Sequence, residues 1–182
     1  MISNRYKIEG NVVTIYLDRR NGDVFECLID LDEFDKIVKD FNYKWFPMWF
    51  KNAHSFYAVS TTYLGIENGK VNNHIIRMNN YILGYPENKT LDHKNHNTLD
   101  NRKENLRIAS HSDNSKHRNG KNSNNKSGYR NVCLVKTRWI VQLQINGKNT
   151  RLKSFPYSQL EEAGEYAESM RHLYYGEYAG KS

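Results

Sequence analysis

From about Asn79 to His117 the chain is dense in Asn, His, Lys and Arg and shows no sustained apolar repeat of either period 2 or period 3.6. The length of 182 residues is enough for one large domain or for two to three small ones. Mean hydropathy is low, at −0.85, yet 13% of residues are aromatic, which fits small folded cores and not a disordered chain. Cys27 and Cys133 stand far apart with no CxxC pair, against a zinc ribbon or a disulfide framework. No N-terminal apolar run resembles a signal peptide, and no run reaches membrane-spanning length, so the expectation is a cytoplasmic protein without membrane contact. The net charge of +7 is concentrated in residues 89–131, where 10 basic side chains face 4 acidic ones, a distribution that favours a polyanionic partner.

The first part reads as a small α+β unit. Tyr6–Leu17 and Val24–Ile29 are strand-like, separated by the turn-like Arg20-Asn21-Gly22-Asp23. Asp30 and Glu33 form a capping-box pattern ahead of Leu31, Phe34, Ile37, Val38 and Phe41 at helical spacing. The aromatic run Trp45–Phe50 is read as core, because few charges interleave with it. Phe56–Leu64 and Val71–Met78 read as a hairpin around Glu67-Asn68-Gly69-Lys70. Near the C-terminus, Arg130–Val135, Arg138–Ile145 and Lys148–Phe155 form three strands, the last two joined at Asn146-Gly147. A helix follows, with Ser158 and Glu161 as a capping box, an apolar stripe from Leu160 to Tyr174, and Gly176 as its stop. The expected organisation is an N-terminal α+β unit at 1–70, a central domain at 71–118, a basic linker at 119–128 and a C-terminal sheet-plus-helix domain at 129–182.

The middle carries the chemistry, in the strings Leu91-Asp92-His93, Asp100 through Arg107, and His111-Ser112-Asp113-Asn114. Breaking a phosphodiester near neutral pH requires a deprotonated water, charge stabilisation of the transition state and neutralisation of the leaving 3′-oxygen. A neutral histidine with a fixed ring meets the first need, and a divalent cation on oxygen ligands meets the other two. The stretch resembles the phage homing branch of the HNH nucleases, with thirteen residues from Asp92 to Asn105 and nine from Asn105 to Asn114. The resemblance implies a ββα-metal fold. It makes Asp92 and Asn114 the ligands of one Mg²⁺ or Mn²⁺, His93 the general base and Asn105 the residue that holds its imidazole. Arg102, Lys103 and Arg107 would grip flanking phosphates. This sequence departs from the branch at Met78-Asn79-Asn80, where the usual run is Met-His-Arg, so the family's first histidine corresponds to Asn79.

If Asn146-Gly147 closes a two-residue hairpin, Ile145 lies opposite Lys148. Trp139, Val141, Leu143, Ile145 and Leu152 then face the helix. Gln142, Gln144, Asn149, Arg151 and Lys153 face outward, with Ile140 among them. Amides can pair with adenine edges and guanidinium with guanine, while lysine binds phosphate. This segment resembles the AP2-type DNA-binding domain at Ser127 through Val132, Arg138-Trp139, Leu152 through Phe155, Glu161-Glu162-Ala163 and Tyr174 through Ala179. The resemblance places Arg130, Gln142, Gln144, Asn149 and Arg151 on base- and backbone-contacting positions.

The expected protein is a site-specific, metal-dependent endonuclease of homing type. It would act as a monomer on double-stranded DNA without a small-molecule cofactor, and nick one strand in the cytoplasm of a bacterial or phage-infected cell. The alternatives are a DNA-binding regulator whose HNH centre does not cut and an RNA-binding or RNA-processing protein.

Overall fold

A computed structural model describes residues 4–39, 44–67, 69–118 and 120–180. The fold is mixed α+β, with several small antiparallel sheets and few helices. The chain forms two compact units, Met1–Ala109 and Ser110–Ser182.

The first unit begins with an antiparallel sheet of β1 (Tyr6–Glu9), β2 (Val12–Asp18) and β3 (Val24–Asp30), in the order β1-β2-β3. The expected single strand Tyr6–Leu17 is therefore two strands. Gly10, at φ +58°, and Asn11 turn the chain so that Glu9 pairs with Val12. The expected helix after Asp30 is also replaced, by a 3₁₀ turn at Leu31–Glu33 and a short π-type turn at Asp35–Lys39; Phe41 lies outside the described residues. The capping box does not form because tertiary partners take its carboxylates. Asp30 Oδ2 accepts from the Lys103 backbone N–H at 2.6 Å, and Glu33 pairs with Lys103 Nζ at 2.7 Å.

A second sheet, in the order β4-β5-β6, comprises β4 (Phe46–Phe50), β5 (Ser55–Glu67) and β6 (Lys70–Arg77). Helix α1 (Met78–Leu83) follows and ends at Gly84, whose φ of 75° suits a C-terminal cap. Val13, Ile15, Leu17, Cys27, Ile29, Trp45 and Met78 form the core. Trp45 is buried, as the aromatic run suggested, and its indole N–H donates to the Ile37 carbonyl at 3.0 Å. Trp49, from the same run, is half-exposed.

The two-stranded ribbon β7 (Thr90–His93) and β8 (Leu106–Ala109) completes this unit. The loop between them docks on the open edge of β3. Leu28 donates its N–H to Leu99 O at 2.9 Å, and Asn101 donates to Leu28 O at 2.8 Å. This shows what the N-terminal sheet does locally: its edge strand is the template on which the loop is shaped.

The second unit holds α2 (His111–Lys116), a sheet in the order β11-β10-β9, and α3 (Leu160–Tyr175). The strands are β9 (Val132–Val135), β10 (Arg138–Ile145) and β11 (Lys148–Pro156). Ala163 and Ala167 of α3 pack on Val132, Trp139, Val141 and Leu143. Gly164 is required for this approach, since a Cβ there would lie 2.3 Å from the Tyr129 ring. The Ser158 capping box is not used: Gln159 is the N-cap, and its N–H closes a turn onto Pro156 O at 3.0 Å that leaves Ser158 within the turn. Part of the segment read as linker is built into this unit. Ser127 is buried with its Oγ 2.9 Å from Val132 O, and Asn125 Nδ2 donates to Tyr129 O.

Candidate active site

Asp92 and His93 end β7, where Asp92 pairs with Arg107 and His93 with Leu106 of β8. Both side chains are buried. The loop they open is rich in Asn and Asp because it closes by side-chain-to-backbone bonds and has little apolar packing of its own. Asn95 Oδ1 accepts from Asn97 N–H, and Asn95 Nδ2 donates to Asp100 Oδ2 at 2.8 Å. Burial acts to raise the Asp100 carboxyl, but Arg102 and Asn95 outweigh it and hold it below the usual carboxylate range.

Asn105 does not reach the imidazole, as the resemblance implied. Its Oδ1 accepts from the Asn95 N–H at 2.9 Å and its Nδ2 donates to Asp100 O at 2.7 Å, so both ends of the amide are spent on clamping the loop. The ring's partner is Asn101, whose Oδ1 lies 3.2 Å from His93 Nε2. Asn101 Nδ2 faces Cys27 Sγ at 3.2 Å and Met78 Sδ at 3.7 Å. A thioether sulfur accepts and cannot donate, so the amide N–H₂ belongs on the sulfur side and Oδ1 on the ring side. Nε2 therefore carries the proton and donates to Asn101, which leaves the Nδ1 lone pair as the basic site. Burial is the largest influence on His93 and lowers its pKa below the ordinary histidine value, only partly offset by Asn101 and the nearby carboxylates. Cys27, fully buried, is pushed up to about 12 and stays a thiol. Asn101 lay within the string singled out in the sequence, but only the meeting of that loop with β3 identifies it.

The three cations expected at phosphates are held by carboxylates. Arg102 binds Asp100 at 2.8 Å and Glu104 at 2.7 Å. Lys103 binds Asp32 and Glu33, each at 2.7 Å. Arg107 lies on Asp92, Nε at 2.8 Å and Nη2 at 2.7 Å from Oδ2. These pairs differ in strength. The exposed Lys103–Asp32 pair contributes about 0–1 kcal/mol, whereas the Glu33 partner of the same lysine is buried. The Arg107–Asp92 pair has side chains only 9% exposed, and breaking such a pair by removing one partner costs about 3–5 kcal/mol.

The expected cation ligands are oxygens, Asp92 on β7 in the first unit and Asn114 on α2 in the second. Among the described residues no group of three or more His, Cys, Asp or Glu is gathered. A carboxylate and an amide both offer oxygen donors, the kind that a small hard cation takes. Ser110 caps α2, its Oγ accepting from Asp113 N–H at 3.1 Å. Asn79 is buried with its Oδ1 on the Asn80 N–H, so no imidazole stands there.

In the second unit the expected turn register holds, with Ile145 opposite Lys148, Gln144 opposite Asn149 and Gln142 opposite Arg151. These four polar side chains share the sheet face away from α3. A bulge at Leu152 then shifts the register, so that Lys153 pairs with Val141. Lys153 thus leaves the outward face, and its ammonium lies 4.9 Å from the Phe155 ring and 5.0 Å from Tyr166 on α3. Arg130 is also not on the surface. It is 3% exposed, and its guanidinium donates to Lys116 O at 3.0 Å and Arg118 O at 2.7 Å, holding the chain after α2. Gln142, Gln144 and Asn149 line a groove of about 780 Å³ together with Lys116, Arg118 and Lys126.

No curated protein and no solved structure matches the chain. Residues 81–116 match the family model HNH_3, HNH endonuclease, a span from α1 through β7 and β8 to α2 that supports nuclease chemistry of the HNH type and a DNA substrate.

Proposed function

We propose that this chain is a metal-dependent, site-specific DNA endonuclease of homing type that nicks duplex DNA. The observation that carries the reading is the buried His93 imidazole, oriented by Asn101 and next in sequence to the buried Asp92 carboxylate, with burial holding the ring's pKa below the ordinary histidine value. His93 Nδ1 takes the proton of the attacking water, and Asn101 keeps the ring in the tautomer that makes this possible. On this reading Asp92 and Asn114 would each offer an oxygen to one Mg²⁺ or Mn²⁺, whose charge would favour the phosphate and the leaving oxygen. Lys103, half-exposed, grips a flanking phosphate in exchange for its exposed Asp32 partner.

The second unit reads DNA in the manner of an AP2-type domain. Its helix-backed three-stranded sheet with Gln142, Gln144, Asn149 and Arg151 on the free face supports this, as does the basic, amide-lined groove. Amides and guanidinium on a rigid sheet suit base edges in a major groove, while the lysines serve the backbone.

Strand-resolved cleavage of a duplex DNA library with Mg²⁺ or Mn²⁺ tests the reading, with His93→Ala as control. A discrete cut by the wild type that the variant loses while still binding supports it. Binding without cutting by the wild type would favour the DNA-binding regulator, a reading prompted by Asn79 in place of the family's first histidine.

A further inference from the structure

We propose that Arg77 is a phosphate-binding residue of the nuclease centre, held in place by aromatic rings instead of a carboxylate. The inference deepens the nuclease reading and rests on it for the identity of the ligand, a DNA phosphodiester.

Arg77 ends β6, opposite Val59 of β5, immediately before α1. On the same sheet face, Phe50 follows from β4 and Tyr57 from β5. The Arg77 guanidinium carbon lies 4.3 Å from the Phe50 ring centroid and 5.6 Å from that of Tyr57. Tyr57 in turn meets the His93 ring edge-on at 6.0 Å. Its hydroxyl is raised chiefly by burial. Tyr57 therefore stands against both the Arg77 guanidinium and the His93 ring.

Three other cations of this region, Arg102, Lys103 and Arg107, each lie on a carboxylate, and Lys94 donates to the Glu104 carbonyl. Arg77 makes no ion pair with the described residues and is only half-buried. Stacking changes what the group can do. A ring covers one face of the guanidinium and fixes its plane but leaves the N–H donors around its rim, which match a phosphate's oxygens in a forked pair. A carboxylate-bound arginine must first surrender its partner, whereas Arg77 loses none. A stacked arginine is thus preorganised for the substrate backbone beside the histidine.

The test uses the full-length chain and duplex DNA carrying its cleavage site, with wild type, Arg77→Gln, Arg77→Lys and His93→Ala. Circular dichroism and thermal melting confirm that each variant is folded. The slope of log affinity against log salt should flatten by about 1 in Arg77→Gln, the loss of one neutralised phosphate. Single-turnover cleavage at saturating DNA should fall at least tenfold, and Arg77→Lys, which keeps charge but not the planar fork, should restore the slope better than the rate. A folded Arg77→Gln with an unchanged salt slope and a cleavage rate within twofold of wild type would overturn the proposal and leave Arg77 a packing residue. If Arg77→Gln does not fold, a folded Arg77→Lys that cuts at the wild-type rate overturns it instead. If the wild type binds DNA without cutting it, the nuclease reading fails alone, and the salt slope still decides for or against Arg77 as a phosphate contact. If the wild type neither binds nor cuts DNA, both readings fall.

Discussion

Asn101 Oδ1 and His93 Nε2 stand 3.2 Å apart, and this pair, not Asn105 with His93, sets the imidazole in place. The two asparagines do different work. Asn101 should act on rate and Asn105 on stability. Asn101→Ala is expected to lower cleavage about tenfold to a hundredfold with DNA affinity retained, in line with the loss of a residue that orients a functional histidine. Asn105→Ala should lower the unfolding free energy by about 1–3 kcal/mol, because it orphans the Asn95 N–H and the Asp100 carbonyl. Cleavage kinetics and denaturant unfolding on both variants check the division. Equal rate losses with no stability difference would contradict it.

His93 should titrate below the ordinary histidine value of 6.5 in the metal-free protein, since burial penalises the charged ring. The proposed base is the neutral form, so cleavage should rise with pH through the depressed pKa and be on a plateau at neutrality. The linkage to stability has the same sign. Below 6.5 the unfolded chain takes a proton that the folded ring resists, so this contribution weakens as pH falls toward the folded pKa. NMR titration of the ring protons measures the shift. A His93 pKa above 6.5 would contradict the account.

Arg107 occupies the Asp92 carboxylate that the proposed function assigns to a cation. Arg107→Gln should strip the buried carboxylate of its partner and lower the thermal midpoint. Removing a positive charge 2.7 Å from the carboxylate should also tighten divalent binding. Mn²⁺ should then recover more of the midpoint in Arg107→Gln than in the wild type. Calorimetric titration of Mn²⁺ into both proteins supplies the affinities, and weaker binding to the variant would count against Asp92 as a cation ligand.

Arg151 and Lys153 are two residues apart but lie on opposite faces of the second unit's sheet because of the bulge at Leu152. Arg151→Ala should weaken specific DNA binding by about 1–3 kcal/mol, the range of a base contact. Lys153→Ala should leave binding within about twofold while costing some stability through lost contact with Phe155 and Tyr166. Binding isotherms at a fixed salt concentration separate the two, and a larger binding loss for Lys153 would reverse the assignment of faces.

Local rules read well where they acted alone. Asn146 and Gly147, at φ 50° and 78°, make the tight turn that fixed Ile145 opposite Lys148. They failed where a distant partner outbid a local one. Asp30 and Glu33 form a capping-box pattern, yet Lys103 takes both carboxylates. Arg130 sits beside a predicted DNA-facing strand but turns inward to the carbonyls of residues 116 and 118. The Leu152 bulge has no glycine or proline to announce it and displaces Lys153 by one face. Asn101 and Asn105 are chemically identical in the sequence, and only the docking of residues 99–101 on β3 decides which one meets the ring.

The most direct measurement is strand-resolved cleavage of a duplex DNA library by wild type and His93→Ala in the presence of Mg²⁺ or Mn²⁺. The account predicts a discrete nick by the wild type that disappears in His93→Ala while site-specific binding persists. Binding by the wild type with no cut at any site, or a cut that survives the loss of His93, would contradict it.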